Sequence, residues 1–304
     1  MKVLILGAAG FIGKPTAQAF AAAGYETYGQ SRDPAAGVVL QQDEITPLIG
    51  TPVEIIEKHG AEMDVIIDCV MSGVGGAVAL PIFDAVLAVA ATRSPVRKLA
   101  FIFTSGTWTE GMPAGSDPLA IVSEVSPLGP EIPELVQWRA EFETKILSAP
   151  ATVPGLCPII IRPALLYGRS ASLLSDLFAQ AHANDVITWP GEPGITRYST
   201  VHQDDLARLF VLVAERAPLF NGLCVDGVNP QTELLEDIIR SLITAAGGNK
   251  TFVLREPEGA YEIALTTKAR HAASLGYTLA GWVPRKPSLV DGIKRYYETW
   301  KSYQ

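Results

Sequence analysis

Three glycines near the amino end, Gly7, Gly10 and Gly13, have a spacing that suits phosphate binding. They follow the apolar run of residues 3–6 and precede an alanine-rich stretch, so a buried strand must turn sharply into a helix here. Glycine lets the backbone approach a ligand closely, and the helix start offers unpaired N–H groups and a positive dipole end. The turn therefore predicts dinucleotide binding, the alternative being a purely structural turn. The predicted contact residues are Gly7, Ala9, Gly10, Phe11, Ile12 and Gly13.

The residues after the predicted second strand bear on which dinucleotide is bound. NAD sites of this kind usually place a carboxylate at that strand end to accept a hydrogen bond from the ribose 2′-OH. Ser31 and Arg32 stand there instead, and both can bind a 2′-phosphate. We therefore expect NADP rather than NAD. The alternative is that Arg32 is a solvated loop charge and that Asp33 caps a turn before Pro34.

Composition limits the class of protein and of partner. The chain has 304 residues, of which 48% are hydrophobic and 18% charged, enough for one large α/β domain and a smaller region. A net charge of −8 without a basic run argues against a nucleic-acid partner. The three cysteines lie far apart, which favours free thiols over disulfides. Without an apolar run of about 18 residues or a leader, we expect a cytoplasmic protein that binds no membrane and takes a small-molecule substrate.

Strand-like and helix-like runs alternate through most of the chain. This alternation predicts an α/β fold with a Rossmann-type, doubly wound parallel sheet. We expect a dinucleotide-binding core over residues 1–168 and, over 169–304, a mixed region that is mainly a substrate-facing subdomain with late sheet strands. Predicted strands are residues 3–6, 25–28, 38–40, 64–70, 99–103 and 159–161, and predicted helices are residues 14–23, 80–91 and 134–147. Asp43, near the end of the third strand, is a further expected cofactor contact.

Several further motifs resemble one family. Arg162-Pro163 with Tyr167-Gly168 resembles the R-P-x-x-x-Y-G segment of extended and atypical short-chain dehydrogenases/reductases, the NAD-dependent epimerase/dehydratase type. The segment 201–207 (VHQDDLA) resembles its H-x-D-D-L-A motif. The resemblance implies a nicotinamide cofactor contacted by Arg162 and Pro163, and a homodimer formed by paired helices that include residues 134–147. In the second motif, a helix cap is the expected role of the histidine and aspartate, and we expect no metal site.

The active-site pair of that family is missing. Its Tyr-x-x-x-Lys helix places a phenol beside a lysine that lowers the phenol pKa. Here Leu135 stands at the tyrosine position and Arg139 at the lysine position; a second alignment pairs Glu141 with Lys145. We prefer the first, because the residues after Arg139 then match the family as well. Leu135 cannot transfer a proton, whereas Arg139 can still bind ribose hydroxyls.

Other side chains are therefore candidates for the chemistry. Ser105 and Thr107 follow the fifth strand and can polarise a carbonyl, although turn formation explains them equally well and Gly106 can occupy the aligned position. Tyr167 is a candidate phenol with a structural alternative. Tyr198, Glu110 or the substrate itself can also supply a proton.

These features favour an NADP-dependent oxidoreductase of the atypical short-chain dehydrogenase type, acting on a small carbonyl or enone. One alternative is a non-catalytic NADP-binding sensor of the NmrA-like kind, which would lack the tyrosine and the lysine. A nucleotide-sugar epimerase or dehydratase is the other; it also needs the tyrosine, so we rank it lower.

Overall fold

The computed structural model describes residues 1–70, 76–112, 121–170 and 172–304. The first half contains β1 (Lys2–Leu6), α1 (Gly13–Ala22), β2 (Glu26–Ser31), α2 (Pro34–Gln42), β3 (Thr46–Ile49), α3 (Pro52–His59), β4 (Val65–Asp68), α4 (Ala79–Ala91), β5 (Leu99–Thr104), β6 (Ile121–Val122) and α5 (Gln137–Ser148). The second half contains β7 (Leu156–Pro163), β8 (Leu165–Tyr167), α6 (Ser175–Ala183), β9 (Val186–Pro190), β10 (Arg197–His202), α7 (Gln203–Glu215), α8 (Ala217–Phe220), β11 (Cys224–Gly227), β12 (Thr232–Leu234), α9 (Leu235–Ala245), β13 (Thr251–Arg255), α10 (Gly259–Leu265), β14 (Arg270–His271), α11 (Leu275–Ala280) and α12 (Ile293–Lys301).

A seven-stranded parallel sheet forms the centre, in the order β11-β7-β5-β4-β1-β2-β3. The chain builds outward from β1 to β3 and then crosses back to β4 on the other side of β1. The strand order therefore reverses between β1 and β4, and in such sheets ligands bind at the carboxyl ends of the strands beside this point. The predicted Rossmann-type α/β fold is confirmed.

Helices cover both faces of the sheet because its strands are apolar on both sides. Val3 and Ile5 of β1 belong to the core shared with α1 and α7, whereas Leu4 and Leu6 face the core shared with α3, α4 and α5. The alternation of side chains along a strand assigns successive residues to opposite layers. The crevice at the strand ends is thus set between two packed helical layers.

The third strand lies elsewhere than predicted. Residues 38–40 belong to α2, and the strand is β3 at residues 46–49. The helix starts because the Asp33 side chain accepts a hydrogen bond from the Ala35 N–H and Pro34 fits the first helical turn. Val38 and Val39 are exposed on this helix, so the short apolar run at residues 38–40 does not indicate a buried strand.

A second core lies within the carboxy-terminal region. β8, β10 and β12 form a small sheet, β9 pairs with β13, and α6, α9 and α12 supply much of the buried apolar surface. The same region also contributes β11, which pairs with β7 at the edge of the main sheet. All three cysteines are free. No helix in the described ranges combines the length and apolar character needed to cross a bilayer.

His202 links the two cores. Its Nδ1 accepts a hydrogen bond from the Asp204 N–H at 3.1 Å and so caps α7, and its ring packs against Tyr167 and Tyr296. Asp204 then pairs with Lys286 near the carboxy end. Burial lowers the pKa of His202 to about 4, because the charged ring would lose hydration. The expected helix cap is confirmed.

We expect His202 to make the protein acid-sensitive. Its folded-state pKa of about 4 lies below the ordinary value of 6.5, so this contribution to stability is complete above 6.5 and is lost as pH falls toward 4. The loss amounts to at most roughly 3 kcal/mol. An Asn side chain can also accept a hydrogen bond from the Asp204 N–H but does not titrate. His202→Asn should therefore reduce the dependence of the unfolding free energy on pH between about 6.5 and 4, measured by urea unfolding at a series of pH values. An unchanged pH dependence would contradict the assignment.

Candidate functional site

The turn after β1 lies at the point where strand order reverses. Gly7 has φ +71°, a conformation that side chains rarely adopt, and its N–H begins the turn. A Cβ on Gly13 would lie 2.1 Å from the Gly7 carbonyl oxygen, so any side chain there would push α1 away from β1. Ala9 and Gly10 are exposed, and Phe11 and Ile12 are half-buried. The first-turn amides of α1 therefore border an open crevice.

Gln30 fixes this turn, a role that the glycine spacing does not reveal. Its side-chain oxygen accepts from the Gly7 N–H at 2.9 Å, and its backbone oxygen accepts from the Ala8 N–H at 2.9 Å. Its amide nitrogen donates to the Gly50 carbonyl at 2.7 Å, which ties the turn to the end of β3. Gln30 is buried, so these hydrogen bonds hold the turn rigidly before any ligand arrives.

An exposed positive charge, Arg32, stands at the end of β2. The Ser31 hydroxyl accepts from the Asp33 N–H at 3.1 Å, and Asp33 caps α2 as described above. Arg32 is exposed between them. Asp33 is thus a helix cap, and Ser31 and Arg32 stand at the strand end; their contact with a 2′-phosphate stays a prediction.

Asp43 does not follow a strand, which corrects its predicted position. It lies just after α2, where its carboxylate accepts a hydrogen bond from the Gln18 side chain at 2.8 Å. The error has the same origin as the misplaced strand, since residues 34–42 are helical. Asp43 joins α1 to α2.

A carboxyl and a guanidinium group lie near the ends of β4 and β5. Arg139 of α5 donates to the Thr104 carbonyl at 3.3 Å and lies 4.6 Å from the centre of the Trp138 ring. Asp68 is buried; its Oδ1 accepts from the Val70 N–H at 2.9 Å, while Oδ2 has no partner within the described part of the chain. Burial raises the Asp68 pKa to about 6, and the Arg139 charge offsets this in part. A carboxyl group here can exchange a proton near neutral pH.

The loop after β5 holds the predicted hydroxyls. The Ser105 Oγ is buried and finds no hydrogen-bond partner among the residues described. Gly106 follows, and Thr107 lines a cavity of about 20 Å³ together with Tyr198 and His271. Ser105 is thus the hydroxyl with free hydrogen-bonding capacity at the strand end.

Both candidate phenols are structural. The Tyr167 hydroxyl donates to the Pro287 carbonyl at 2.8 Å and accepts from Asn229 at 3.1 Å. The Tyr198 hydroxyl accepts from the Trp189 ring N–H at 3.0 Å. Burial raises the pKa of both tyrosines well above the usual value. Tyr167 is therefore not a proton donor of the crevice, which corrects its place among the catalytic candidates.

Leu135, which stands at the tyrosine position of the family, lies in the short 3-10 turn before α5.

Arg162 lies in a buried ionic cluster. Its guanidinium hydrogen-bonds to both oxygens of Glu143 and, at 3.2 Å, to Glu110. Glu143 also accepts from Thr109, and Glu110 lies 2.6 Å from His271 Nδ1. Burial raises the Glu110 pKa, but the hydrogen bond and charge of His271 and the charge of Arg162 outweigh it, so the pKa is lowered overall.

These contacts correct two predictions. Arg162 is a structural ion-pair partner, not the cofactor contact that the resemblance implied, because carboxylates already occupy its donors. Glu110 is engaged in the same way and is not a free acid. The neighbouring Pro163 ends β7, with its carbonyl oxygen close to Gly106, so its cofactor contact stays a prediction.

Comparisons with known proteins agree with this architecture. The model of the NAD dependent epimerase/dehydratase family matches residues 3–221. UDP-glucuronic acid 4-epimerase from Bacillus cereus, solved with UDP-glucuronic acid and NAD, superposes with a TM-score of 0.78 and 21% identity over 100% of both chains. A functionally unknown conserved protein from Silicibacter pomeroyi DSS gives 0.74 and 17%, over 99% of this chain and 98% of that one. No curated protein sequence matches the chain.

Glu143→Gln should destabilise the protein strongly. The substitution removes a charge from a pair in which both side chains are at most 5% exposed, so the buried guanidinium loses its main counter-charge. We expect a loss of about 3 kcal/mol in urea unfolding. Glu298→Gln, which removes the exposed pair with Lys301, is the control and should cost less than about 1 kcal/mol. Equal losses would show that the buried cluster has no structural role.

Proposed function

This chain belongs to the NAD dependent epimerase/dehydratase family, and we propose that it is an NADP-dependent oxidoreductase acting on a small carbonyl or enone. The observation that carries the proposal is the glycine turn at the reversal of strand order. It combines exposed backbone, a helix start and no room for a side chain at Gly13. This arrangement fits a dinucleotide pyrophosphate, which needs close backbone approach and donors from a helix amino end.

The residues around the turn would hold the coenzyme in a fixed orientation. The amides of Phe11 and Ile12 would bind the pyrophosphate, and Arg139 would bind the hydroxyls of the nicotinamide ribose. When bound, the nicotinamide supplies hydride-transfer chemistry. The protein then has to exclude water, orient the substrate and move one proton.

The preference for NADP rests on Arg32. It is exposed at the end of β2, where a carboxylate would favour NAD. The neighbouring acid, Asp33, is committed to capping α2. A 2′-phosphate beside Arg32 would gain a charge-assisted hydrogen bond, and the Ser31 hydroxyl would add a donor.

Proton transfer is the step for which this site differs from the family pattern. Leu135 has no proton to transfer, and Gly106 lacks a hydroxyl. We assign the proton to Asp68, whose pKa of about 6 and whose Oδ2, without a partner among the described residues, suit a general acid, and the polarising hydrogen bond to Ser105. A buried carboxyl group thereby takes the part that a tyrosine plays elsewhere in the family.

A non-catalytic NADP-binding sensor is the second candidate. Leu135, Gly106 and Arg139 together replace the usual phenol, hydroxyl and lysine, which favours a protein that binds the coenzyme without turnover. A nucleotide-sugar epimerase ranks lower for the same reason. The homodimer through α5 stays a prediction.

Arg32→Ala should weaken NADPH binding about ten- to a hundredfold and leave NADH binding almost unchanged, because only the 2′-phosphate contact is lost. Fluorescence titration with each coenzyme measures both dissociation constants. Arg97→Ala is the control, since Arg97 is exposed just before β5, at the amino ends of the strands and away from the crevice. Equal weakening of both coenzymes, or of neither, would contradict the NADP assignment.

Turnover separates the oxidoreductase from the sensor. We expect NADPH consumption with at least one member of a panel of ketones, aldehydes and enones, falling as pH rises through about 6 because Asp68 must carry its proton. Asp68→Asn should slow consumption by roughly a hundredfold or more, while the exposed Asp84→Asn should not. NADPH binding without consumption of any compound would favour the sensor.

A further inference from the structure

We propose that Glu110, Asp226 and His271 form a binding site for a divalent cation, with Zn²⁺ as the preferred ion. One atom from each of the three side chains lies within 4.8 Å of the others, and all three residues are buried. The site is separate from the glycine turn and does not depend on the coenzyme or on turnover.

Three distant chain segments meet at this site. Glu110 belongs to the loop after β5, Asp226 to β11 at the edge of the main sheet, and His271 to β14. Glu110 and His271 are 161 positions apart, so no short sequence motif indicates the site.

Asp226 is the observation that points to a ligand. It is fully buried, yet no donor group among the residues that the structure describes reaches either carboxylate oxygen, and the Glu110 carboxylate lies beside it. It also forms no ion pair within the same set. An ionised carboxylate buried without partners costs several kcal/mol, and either a proton shared with Glu110 or a coordinated cation removes that cost.

The charges of the cluster also favour a cation. Glu110, Glu143 and Asp226 bring three carboxylates into one buried volume, and Arg162 is the one guanidinium that pairs with them in the described structure. Bound as a neutral ligand, His271 adds no charge. A divalent ion that replaces the proton shared by Asp226 and Glu110 would balance the two carboxylate charges that Arg162 then leaves uncompensated.

The surroundings already orient the ligands. Arg162 binds Glu110 Oε1 at 3.2 Å, and Glu110 Oε2 is hydrogen-bonded to His271 Nδ1, a contact that a bound cation would replace. The backbone N–H of His271 donates to the Ser199 hydroxyl at 3.0 Å and so fixes β14 beside β10. Hydrogen-bonded carboxylates and rigidly held imidazoles are typical of the residues around metal ligands.

The donor set indicates the ion. One imidazole nitrogen and two carboxylate oxygens match the ligands of Zn²⁺, and three protein ligands leave a fourth position for water. A cavity of about 20 Å³, lined by Thr107 and, of the three ligands, by His271, has room for one water molecule. Bound here, the ion would join β14 and β11 to the loop that carries Ser105 and Thr107.

Zinc uptake by the full-length protein tests the site. After treatment with a chelator, the wild type is titrated with ZnCl₂ by calorimetry, and its metal content is measured after dialysis. We expect one equivalent per chain and a higher Tm with zinc than without. Asp226→Asn should weaken zinc binding at least tenfold, and the exposed Asp185→Asn should bind as the wild type does.

A second variant guards against loss of the fold. His271→Gln removes the nitrogen ligand without changing the carboxylates, and its circular dichroism spectrum would show whether the sheet and helices persist. Folded His271→Gln protein that keeps full zinc affinity would overturn the proposal. So would a wild type that binds no zinc, or zinc binding that Asp226→Asn leaves unchanged.

Discussion

The structure depends on one close approach, between the carbonyl oxygen of Gly7 and the backbone of Gly13. A Cβ at Gly13 would lie only 2.1 Å from that oxygen, so only glycine lets α1 begin directly after the end of β1. This contact places the amino end of α1, with its positive dipole end and free N–H groups, at the crevice where the strand order reverses. Gln30 then holds the turn from below through buried hydrogen bonds.

Buried charge shapes the remainder of the site. Arg162 hydrogen-bonds to Glu143 and Glu110 behind the loop after β5. Arg139 and Asp68 lie near the ends of β5 and β4, where the positive charge of Arg139 offsets part of the rise in the Asp68 pKa. The first set is structural, because its groups satisfy one another. In the second set, one Asp68 oxygen has no partner in the described part of the chain and the carboxyl pKa is about 6, which is why we assign proton transfer to it.

Local patterns in the sequence predicted the parallel sheet, the glycine turn and the cap at His202, because each depends on neighbouring residues. The third strand was misplaced since Asp33-Pro34 starts a helix, a signal that outweighs two exposed valines. Arg162 was misassigned because its partners are distant in the sequence. Asp68 was missed for a similar reason: its pKa is set by burial, which only the folded chain provides.

A crystal structure of the protein grown with NADPH tests the central claim most directly. The account predicts the pyrophosphate against the amides of Phe11 and Ile12, with the 2′-phosphate beside Arg32 and the nicotinamide end near Arg139. A coenzyme bound elsewhere, or crystals that contain none despite saturating NADPH, would contradict it.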